Sequence, residues 1–510
     1  MNKLKFVCTA CALACFTTSF AGGILTNTNQ SVTFLRNPAR DAAIGIDGVY
    51  SNPAGVAFMN NGLHLSFNWQ YAHQTRTIVT TNPDFALGMR NNNATTKEFE
   101  GVADAPIIPS LQAAYNKGRW SWQFNFGVTG GGGKCEFSDG IGSFESAVGA
   151  IASQLKPLGA TGYDVEGYMR GKQYYFGFTL GAAYKLTDNL SVYGGARILY
   201  GSASYKARLS NIMVNTQNGA VPFGTFLDNA NTTIAGGIAQ YADGISRLQA
   251  GIAQYQAAGA AAPAELTTQL AAAEAAKAQL EGTQQTMKAL EAYREGVNLM
   301  SDQSGIGIAP ILGIDYRIGN INLAAKYEFK TRMRMENSST VKEAHQIDAV
   351  NKYRDGSSVP EDQPALFTVG AQWEITPNVR VNAGYHLFFD KSAHWYNHEE
   401  KKLDGNTWEI NGGAEWDIND KLQVSGGLQK TNYGLSDAYM NDMSFVVSSY
   451  TFGFGVGYKV SEKVKVNVAY FQTNYDTYKQ DVTPALTNST THNDYTRTNR
   501  VFGVGVDLTL

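Results

Sequence analysis

The chain has 510 residues, with 41 Lys+Arg against 44 Asp+Glu and a formal net charge of −3. That balance leaves no electrostatic footprint for nucleic acid, so no nucleic-acid partner is expected. Aromatic residues make up 12% of the chain, glycines number 53 and prolines only 13, a composition that suits a large β-protein, soluble or membrane-spanning.

The N-terminus reads as a secretory signal over 1–21. Lys3 and Lys5 precede a short apolar run, Phe6 to Phe16, and Ser19-Phe20-Ala21 supplies a small-x-small cleavage site, so the mature chain starts at Gly22. Ala14-Cys15 offers a rival, lipoprotein-type cleavage, although Ala12 stands where such sites usually carry Leu. Cys8, Cys11 and Cys15 leave with the signal. Cys135 alone remains, which excludes an intramolecular disulfide framework and reads as a lone loop thiol. No stretch approaches the roughly twenty apolar residues of a transmembrane helix. A secreted chain of this kind can still span a membrane, but only as a closed barrel.

Residues 22–62 lack strand alternation. They hold two Asn-Pro-Ala triplets, Asn37-Pro38-Ala39 and Asn52-Pro53-Ala54. Proline offers no N–H and pushes the preceding residue to an extended conformation. Compact turns are expected here, and ahead of a barrel they make a candidate plug.

From 63 to 510 the pattern changes. Leu63, Leu65, Phe67, Trp69 and Tyr71 share one face of a first strand. Strand pairs then turn at Asn116-Lys117-Gly118 (106–128), Thr187-Asp188-Asn189 (173–201) and Gly319-Asn320 (305–330). Further turns fall at Thr376-Pro377-Asn378, Asn419-Asp420 and Ser461-Glu462, and the last strand covers 499–510. These turns carry residues that tolerate positive φ or cap with a side chain. Val379, Val381, Ala383, Tyr385, Leu387 and Phe389 form an apolar row, with Arg380, Asn382, Gly384 and His386 between them. Phe502, Val504, Val506, Leu508 and Leu510 repeat it. An apolar face of roughly ten residues crosses a bilayer when tilted by about 45°. The fold class is therefore all-β, a transmembrane antiparallel β-barrel of about fourteen strands. Short turns on one side and long connections on the other place both ends of the chain at the periplasmic side. Trp373, Trp395, Trp408 and Trp416 near strand ends suit an aromatic girdle, and Arg380 suits a wet lumen.

One long connection breaks the β pattern. Ile234, Ile238, Tyr241, Ile245, Leu248, Ile252 and Tyr255 form a heptad seam; Leu266, Leu270, Ala273, Leu280, Met287 and Leu290 form a second one after a break at Ala257 to Pro263. They predict an antiparallel helical hairpin within 228–300, outside the cell, whose faces pack on each other or dock a protein partner. A shorter helix is expected at Phe144 to Leu155.

Catalytic motifs are missing. Neither His-Glu-x-x-His nor Gly-x-Ser-x-Gly occurs. Gly130 to Gly133 and Lys134 imitate part of a phosphate loop, but Val128 stands where its first glycine belongs and Cys135 replaces the Ser/Thr. A flexible or kinked strand end is the better reading. His386, His394 and His398 read as exposed loop histidines rather than metal ligands. No enzyme, cofactor or metal is expected.

The hatch-like segment and the strand count together resemble the FadL/TodX family, outer-membrane transporters of long-chain fatty acids and other hydrophobic compounds. The match rests on Asn52-Pro53-Ala54-Gly55 ahead of the strand near Leu63, and on the stretch from Arg36-Asn37-Pro38-Ala39-Arg40 to Gly55. The resemblance implies a monomeric fourteen-stranded barrel in outer-membrane lipid, closed by the hatch and needing no cofactor. It implies capture of a hydrophobic small molecule among the outer loops, hatch movement, and exit beside an inward kink in the third strand. That strand is expected at 119–128, with Gly127 and Gly130 as kink residues, and Asn37, Pro38, Asn52, Pro53 and Ala54 as plug and gating residues. Ligand contacts do not carry over, because the loops do not match position by position. The helical insertion and the terminal Leu510, where many barrels end in Phe, depart from the family. A polar-solute porin, a surface adhesin built on the hairpin, and a lipid-modifying enzyme are the rival readings.

Overall fold

The computed structural model describes residues 26–342, 348–483 and 489–510, so the expected signal lies outside the described residues. The strand segments, in chain order, are β1 (Gly62–Thr81), β2 (Thr96–Lys117), β3 (Trp120–Phe137), β4 (Ala160–Lys185), β5 (Leu190–Thr216), β6 (Gly219–Pro222), β7 (Val297–Ile318), β8 (Ile321–Glu328) and β9 (Arg334–Lys342). They continue with β10 (Ser358–Pro360), β11 (Leu366–Thr376), β12 (Val379–Phe388), β13 (Trp408–Asp417), β14 (Leu422–Asn432), β15 (Ser449–Ser461), β16 (Val464–Tyr475), β17 (Tyr478–Val482) and β18 (Thr491–Thr509). β8 and β9 are two parts of one interrupted stave, as are β10 and β11, while β6 and β17 only extend the outer end. Fourteen antiparallel staves result, and β1 pairs with both β2 and β18, which closes the barrel.

Alternation sorts the side chains. On β12 Asn382, Gly384 and His386 face a packed interior, while Val381, Ala383 and Tyr385 face out. Around the outer wall Phe67, Leu180, Ile308, Leu312, Leu428 and Phe454 are 49–66% exposed. Such a side chain gains roughly 1.5–3 kcal/mol on leaving water, and no described residue of the chain covers this belt. It is the lipid face of a transmembrane barrel.

Six tight turns lie at one end. Thr187 Oγ1 accepts the N–H groups of Asn189 and Leu190, and Asn419 Oδ1 those of Lys421 and Leu422. Gly118 and Gly319 take φ of 64° and 58°, which favours glycine. The chain ends meet on this side, where Leu63 and Leu510 exchange main-chain hydrogen bonds of 3.0 and 2.8 Å.

The staves run well beyond the apolar belt. β4 and β5 extend to Ala160 and Thr216, against expected limits of 173 and 201. Above the belt the outward positions are Thr75, Thr77, Ser202 and Ser204. Main-chain pairing persists there, but a wall facing water needs no apolar side chains, so the alternation signal fades before the strand ends.

The outer end carries the helices α3 (Gly142–Gln154), α4 (Phe223–Ala257) and α5 (Ala264–Leu290). α4 and α5 form the antiparallel hairpin, starting at Phe223 rather than 228. Ile234, Met287 and Leu290 are buried at its base, Leu248 and Ile252 are half-buried towards the tip, and Tyr241 and Tyr255 are exposed. Arg294 clamps the base, donating to Asp228 at 2.6 Å and Glu291 at 2.7 Å. Among the described residues no helix is long and apolar enough to cross a membrane. The largest apolar core also lies at this end and is rich in methionine: Met333, Met335, Met440 and Met443 pack with Phe99, Phe137 and Phe445.

Candidate functional site: the hatch, the break in the wall and an arginine pair

Residues 26–61 lie inside the barrel. They include α1 (Val32–Arg36) and α2 (Gly48–Ser51). The wall is glycine-lined where they seat. A Cβ on Gly413 would fall 2.0 Å from Asn37 Oδ1, one on Gly453 2.0 Å from Leu35 O, and one on Gly384 2.0 Å from Asp41 Oδ2. Backbone and short polar groups of the hatch therefore approach the wall more closely than any larger residue would permit.

Both Asn-Pro-Ala triplets bond to this wall. Asn37 donates to Asn382 Oδ1 at 3.2 Å and accepts the Ala39 N–H at 3.1 Å. Pro38 lies over Gly427, where an added Cβ would stand 2.7 Å from its Cδ. Asn52 donates to Asp315 at 2.6 Å and accepts the Gly55 N–H at 3.1 Å. The Pro53 carbonyl accepts from Gln123 at 2.8 Å, and the Ala54 carbonyl from Ser191 at 2.7 Å. Asn52→Ala strips partners from buried groups, which costs about 1–3 kcal/mol each. We expect hydrogen exchange of residues 40–58 to accelerate at least tenfold in the purified barrel while strand peptides stay protected. Unchanged exchange would count against this role.

Ion pairs complete the docking. Arg40 spans the hatch and the wall, donating to Asp47 at 2.7 and 3.1 Å and to Glu415 at 2.8 Å, all three groups being buried. Lys326 donates to the Tyr50 carbonyl and to Glu328, both at 2.7 Å. His386 is not an exposed loop histidine. It is buried between Asp41 of the hatch, at 2.8 Å, and Glu409, at 2.7 Å. Its place was legible in the alternation, which puts residue 386 in the row facing away from lipid. Only the register of distant staves reveals its partners. His394 and His398 stack on each other in an outer loop, 5.2 Å apart. Arg380 pairs with Asp417 at 2.7 Å and Glu415 at 3.4 Å and lines an open polar cleft at the turn end of the lumen. Among the described residues no three His, Cys, Asp or Glu side chains converge as a metal site.

β3 breaks beside the hatch's first residues. The β2–β3 ladder runs from Lys117↔Trp120 to Leu111↔Phe126 and resumes only at Val102↔Glu136. On its other side, β3 slips against β4 between Val128 and Gly133, with φ of 98° at Gly131 and 71° at Gly133. Gly127 is the first residue without a β2 partner and is still regularly paired with Gly177; Gly130 lies within the slipped segment. Cys135, expected in a loop, is a buried strand residue just past the break.

Carbonyls released from the ladder need other donors. The hatch supplies them. Asn27 N–H reaches Thr129 O at 2.8 Å, and the side chains of Asn27 and Gln30 reach Val128 O at 2.8 and 2.7 Å. From across the lumen Gln363, where the β10–β11 stave is interrupted, donates to Thr129 O at 3.1 Å.

No family model and no curated protein matches the sequence itself. Solved structures do match the architecture. A FadL homologue of Pseudomonas aeruginosa is 12% identical and aligns over 96% of this chain and 100% of its own, with a TM-score of 0.61. The toluene transporter TodX of P. putida is 13% identical over 91% and 94%, at 0.51, and a TodX mutant described as a monoaromatic hydrocarbon channel is 12% identical over 94% and 99%, at 0.54. The fold is that of the FadL-type barrels.

Two features of this FadL-type barrel escape sequence reasoning. The first is a pair of arginines. Arg76 on β1 and Arg497 on β18 stand directly opposite each other and face the interior. Like charges in that position repel. Among the described residues Arg497, 4% exposed, donates only to the Phe445 carbonyl and Gln74 and stacks over Tyr475, and the Nε atoms of both arginines are buried without a partner. Neither forms an ion pair among the described residues. Arg76 also leans on the break, since a Cβ on Gly132 would stand 2.4 Å from its Nη2. The second feature is a pair of outer cavities. One is a small, partly open cavity of about 40 Å³ between Thr26 of the hatch and a roof of Trp395, Leu403, Leu435 and Tyr439. Val446 lines it, next to the Phe445 carbonyl held by Arg497. Asp390 lines it too, and burial raises its carboxyl above the usual value. The other, about 20 Å³ and apolar, lies among Ile151, Leu155, Leu209, Phe223 and Tyr293 at the foot of α4.

Proposed function

We propose that this barrel carries long-chain fatty acids, or amphiphiles like them with an apolar tail and an anionic head, inward across the outer membrane. The Arg76–Arg497 pair carries this reading. Two guanidiniums side by side without a carboxylate form a fork for one, and charge-assisted bonds of this kind are the strong ones. The methionine-rich outer core suits a flexible tail, because Met repacks around varied shapes. A water-filled pore offers such a tail nothing, and the lumen here holds a hatch.

The same residues link binding to passage. Arg76 rests against the slipped segment of β3, and the hatch is tied to Val128 and Thr129 of that segment. A headgroup drawing Arg76 away relaxes the segment that holds the hatch's N-terminal residues. Release of the hatch frees the unpaired stretch between β2 and β3 as a lateral exit. In this reading Asn37, Pro38, Asn52, Pro53 and Ala54 hold the hatch shut, and Gly130 lets the wall bend.

Uptake of labelled oleate by a host lacking its own fatty-acid transporter tests this, with labelled toluene alongside. Wild type should import oleate above the empty vector. Arg76→Gln with Arg497→Gln should lower that uptake about tenfold or more, the worth of one or two charge-assisted hydrogen bonds, and leave toluene uptake as it was. Toluene uptake without oleate uptake would replace the anionic amphiphile by a neutral hydrocarbon. Uptake of neither by a correctly inserted barrel would reject the transport reading.

A further inference from the structure

The outside of the barrel carries a charge cluster that neither the hatch nor the lumen uses. On the outward face of β4 the positions Tyr184, Ala182, Leu180, Phe178, Phe176 and Tyr174 follow one another. Ten residue steps of strand make about 33 Å, or about 24 Å of membrane at a tilt near 45°. Tyr174 therefore marks the outer edge of the apolar belt. The next two outward positions are Lys172 and Arg170.

Both face further cations. Lys172 is registered opposite Lys134 of β3, Arg170 opposite Lys206 of β5, and Tyr168 opposite Arg208. Two like-charged cross-strand pairs thus sit side by side, an arrangement that is unfavourable where anions do not fully offset it. Acids on this face are few. Glu136 stands opposite Arg170 in the β3–β4 register and bonds to Lys134 at 2.6 Å and to the Tyr168 hydroxyl at 3.1 Å, so it offsets one cation of the cluster. Asp302 stands opposite Ser204 on the neighbouring stave. Among the described residues Arg170, Lys172, Lys206 and Arg208 have no ion pair, and Arg170 Nε is buried with no hydrogen-bond partner. Lys172 and Arg208 rest over the rings of Tyr174 and Tyr168, at 5.5 and 5.9 Å. β2, next to β3, instead presents Glu98 and Glu100 outward. The cations are therefore local to β3–β5.

We infer that Lys134, Arg170, Lys172, Lys206 and Arg208 form a docking surface for the phosphorylated headgroup of an outer-leaflet lipid, whose acyl chains lie along the belt below Tyr174. Height selects the lipid source. The cluster begins one outward position above the apolar belt, where a lipid's phosphates lie while its chains stay in hydrocarbon. A soluble phosphate would gain only the charges.

The full chain, purified in uncharged detergent, is titrated with lipid A and with chemically dephosphorylated lipid A, and bound lipids are counted by native mass spectrometry. Wild type should prefer the phosphorylated lipid by about a hundredfold, as expected for three or so surface cations. Arg170→Gln/Lys172→Gln/Lys206→Gln should lose that preference. It should keep its heat-modifiable migration on gels and be no less stable without lipid, because it removes repulsion. Glu98→Gln/Glu100→Gln should change nothing. If the triple variant fails to insert, Lys172→Gln and Lys206→Gln singly should each lower the preference several-fold. Equal binding of the two lipids, an unaltered preference in the variants, or full displacement by millimolar inorganic phosphate would overturn the assignment.

Discussion

Arg40→Ala should turn a closed barrel into a leaky one. Arg40 is buried and holds two buried carboxylates, Asp47 on the hatch and Glu415 on the wall. Glu415 keeps Arg380 at 3.4 Å, but Asp47 keeps no cation among the described residues. Removing one partner of a buried ion pair costs about 3–5 kcal/mol, because the other charge stays behind uncompensated. That loss falls on hatch docking. The barrel's ladder does not involve Arg40 and should persist. The expected result is ion conductance in planar bilayers and sensitivity of cells to bulky polar antibiotics, both absent in wild type, with normal heat-modifiable migration on gels. Arg40→Lys should be intermediate, since a single ammonium cannot make the fork to Asp47 and reach Glu415 as well. In wild type burial opposes the charge on Arg40, the two carboxylates outweigh it, and its pKa rises further. A folded-state pKa above the unfolded one gives stability that is complete below the ordinary arginine value. The contribution of Arg40 to hatch closure should therefore be constant from neutral to mildly alkaline pH. A variant as tight as wild type would show that the hatch is held elsewhere.

A disulfide between hatch and kink should stop transport altogether. Thr26 and Gly130 form an antiparallel bridge. Directly opposed antiparallel residues lie about 4.5–5.5 Å apart at Cα, within the span a disulfide tolerates. Thr26→Cys with Gly130→Cys, in a Cys135→Ser background that removes the buried thiol, would tie the first hatch residues to the slipped segment of β3. Oxidised cells should take up oleate no better than the empty vector, and dithiothreitol should restore uptake. The cross-link alters Thr26 at the floor of one outer cavity but leaves its roof, the second cavity and both arginines in place, so labelled oleate should still bind the oxidised protein in detergent. Full uptake by the oxidised form would mean that a substrate passes without the hatch leaving the kink.

What could be read from residue order follows from periodicity. Where one face of a strand meets lipid, hydropathy alternates, and Phe502 to Leu510 or Val379 to Phe389 mark their staves directly. Six short turns carry residues suited to them, and the seams from Ile234 to Leu290 mark two helices with a break between. Where the staves rise above the bilayer the outward face needs only polar residues, so the ends of β4 and β5 left no trace in hydropathy. The slipped segment of β3 announced itself by a glycine run, but whether those glycines mark a frayed end or a break in the wall depends on what lies beside them. Asn27 and Gln30 decide that by satisfying the carbonyls of Val128 and Thr129.

The sequence by itself determined the class of the molecule: an all-β barrel with polar and glycine-rich inward positions, a non-strand segment in front, and a helical hairpin on one loop. Only the tertiary structure decided which inward residues meet. Arg76 and Arg497 are 421 positions apart and adjacent, as are Arg40 and Glu415, 375 apart, and Asp41 and His386, 345 apart. Alternation tells which face a residue takes, because the strand repeat is two residues. It says nothing about register between staves or about where a plug settles inside them. Those are set by closure of the ladder and by the few places where glycine lets a second backbone come close.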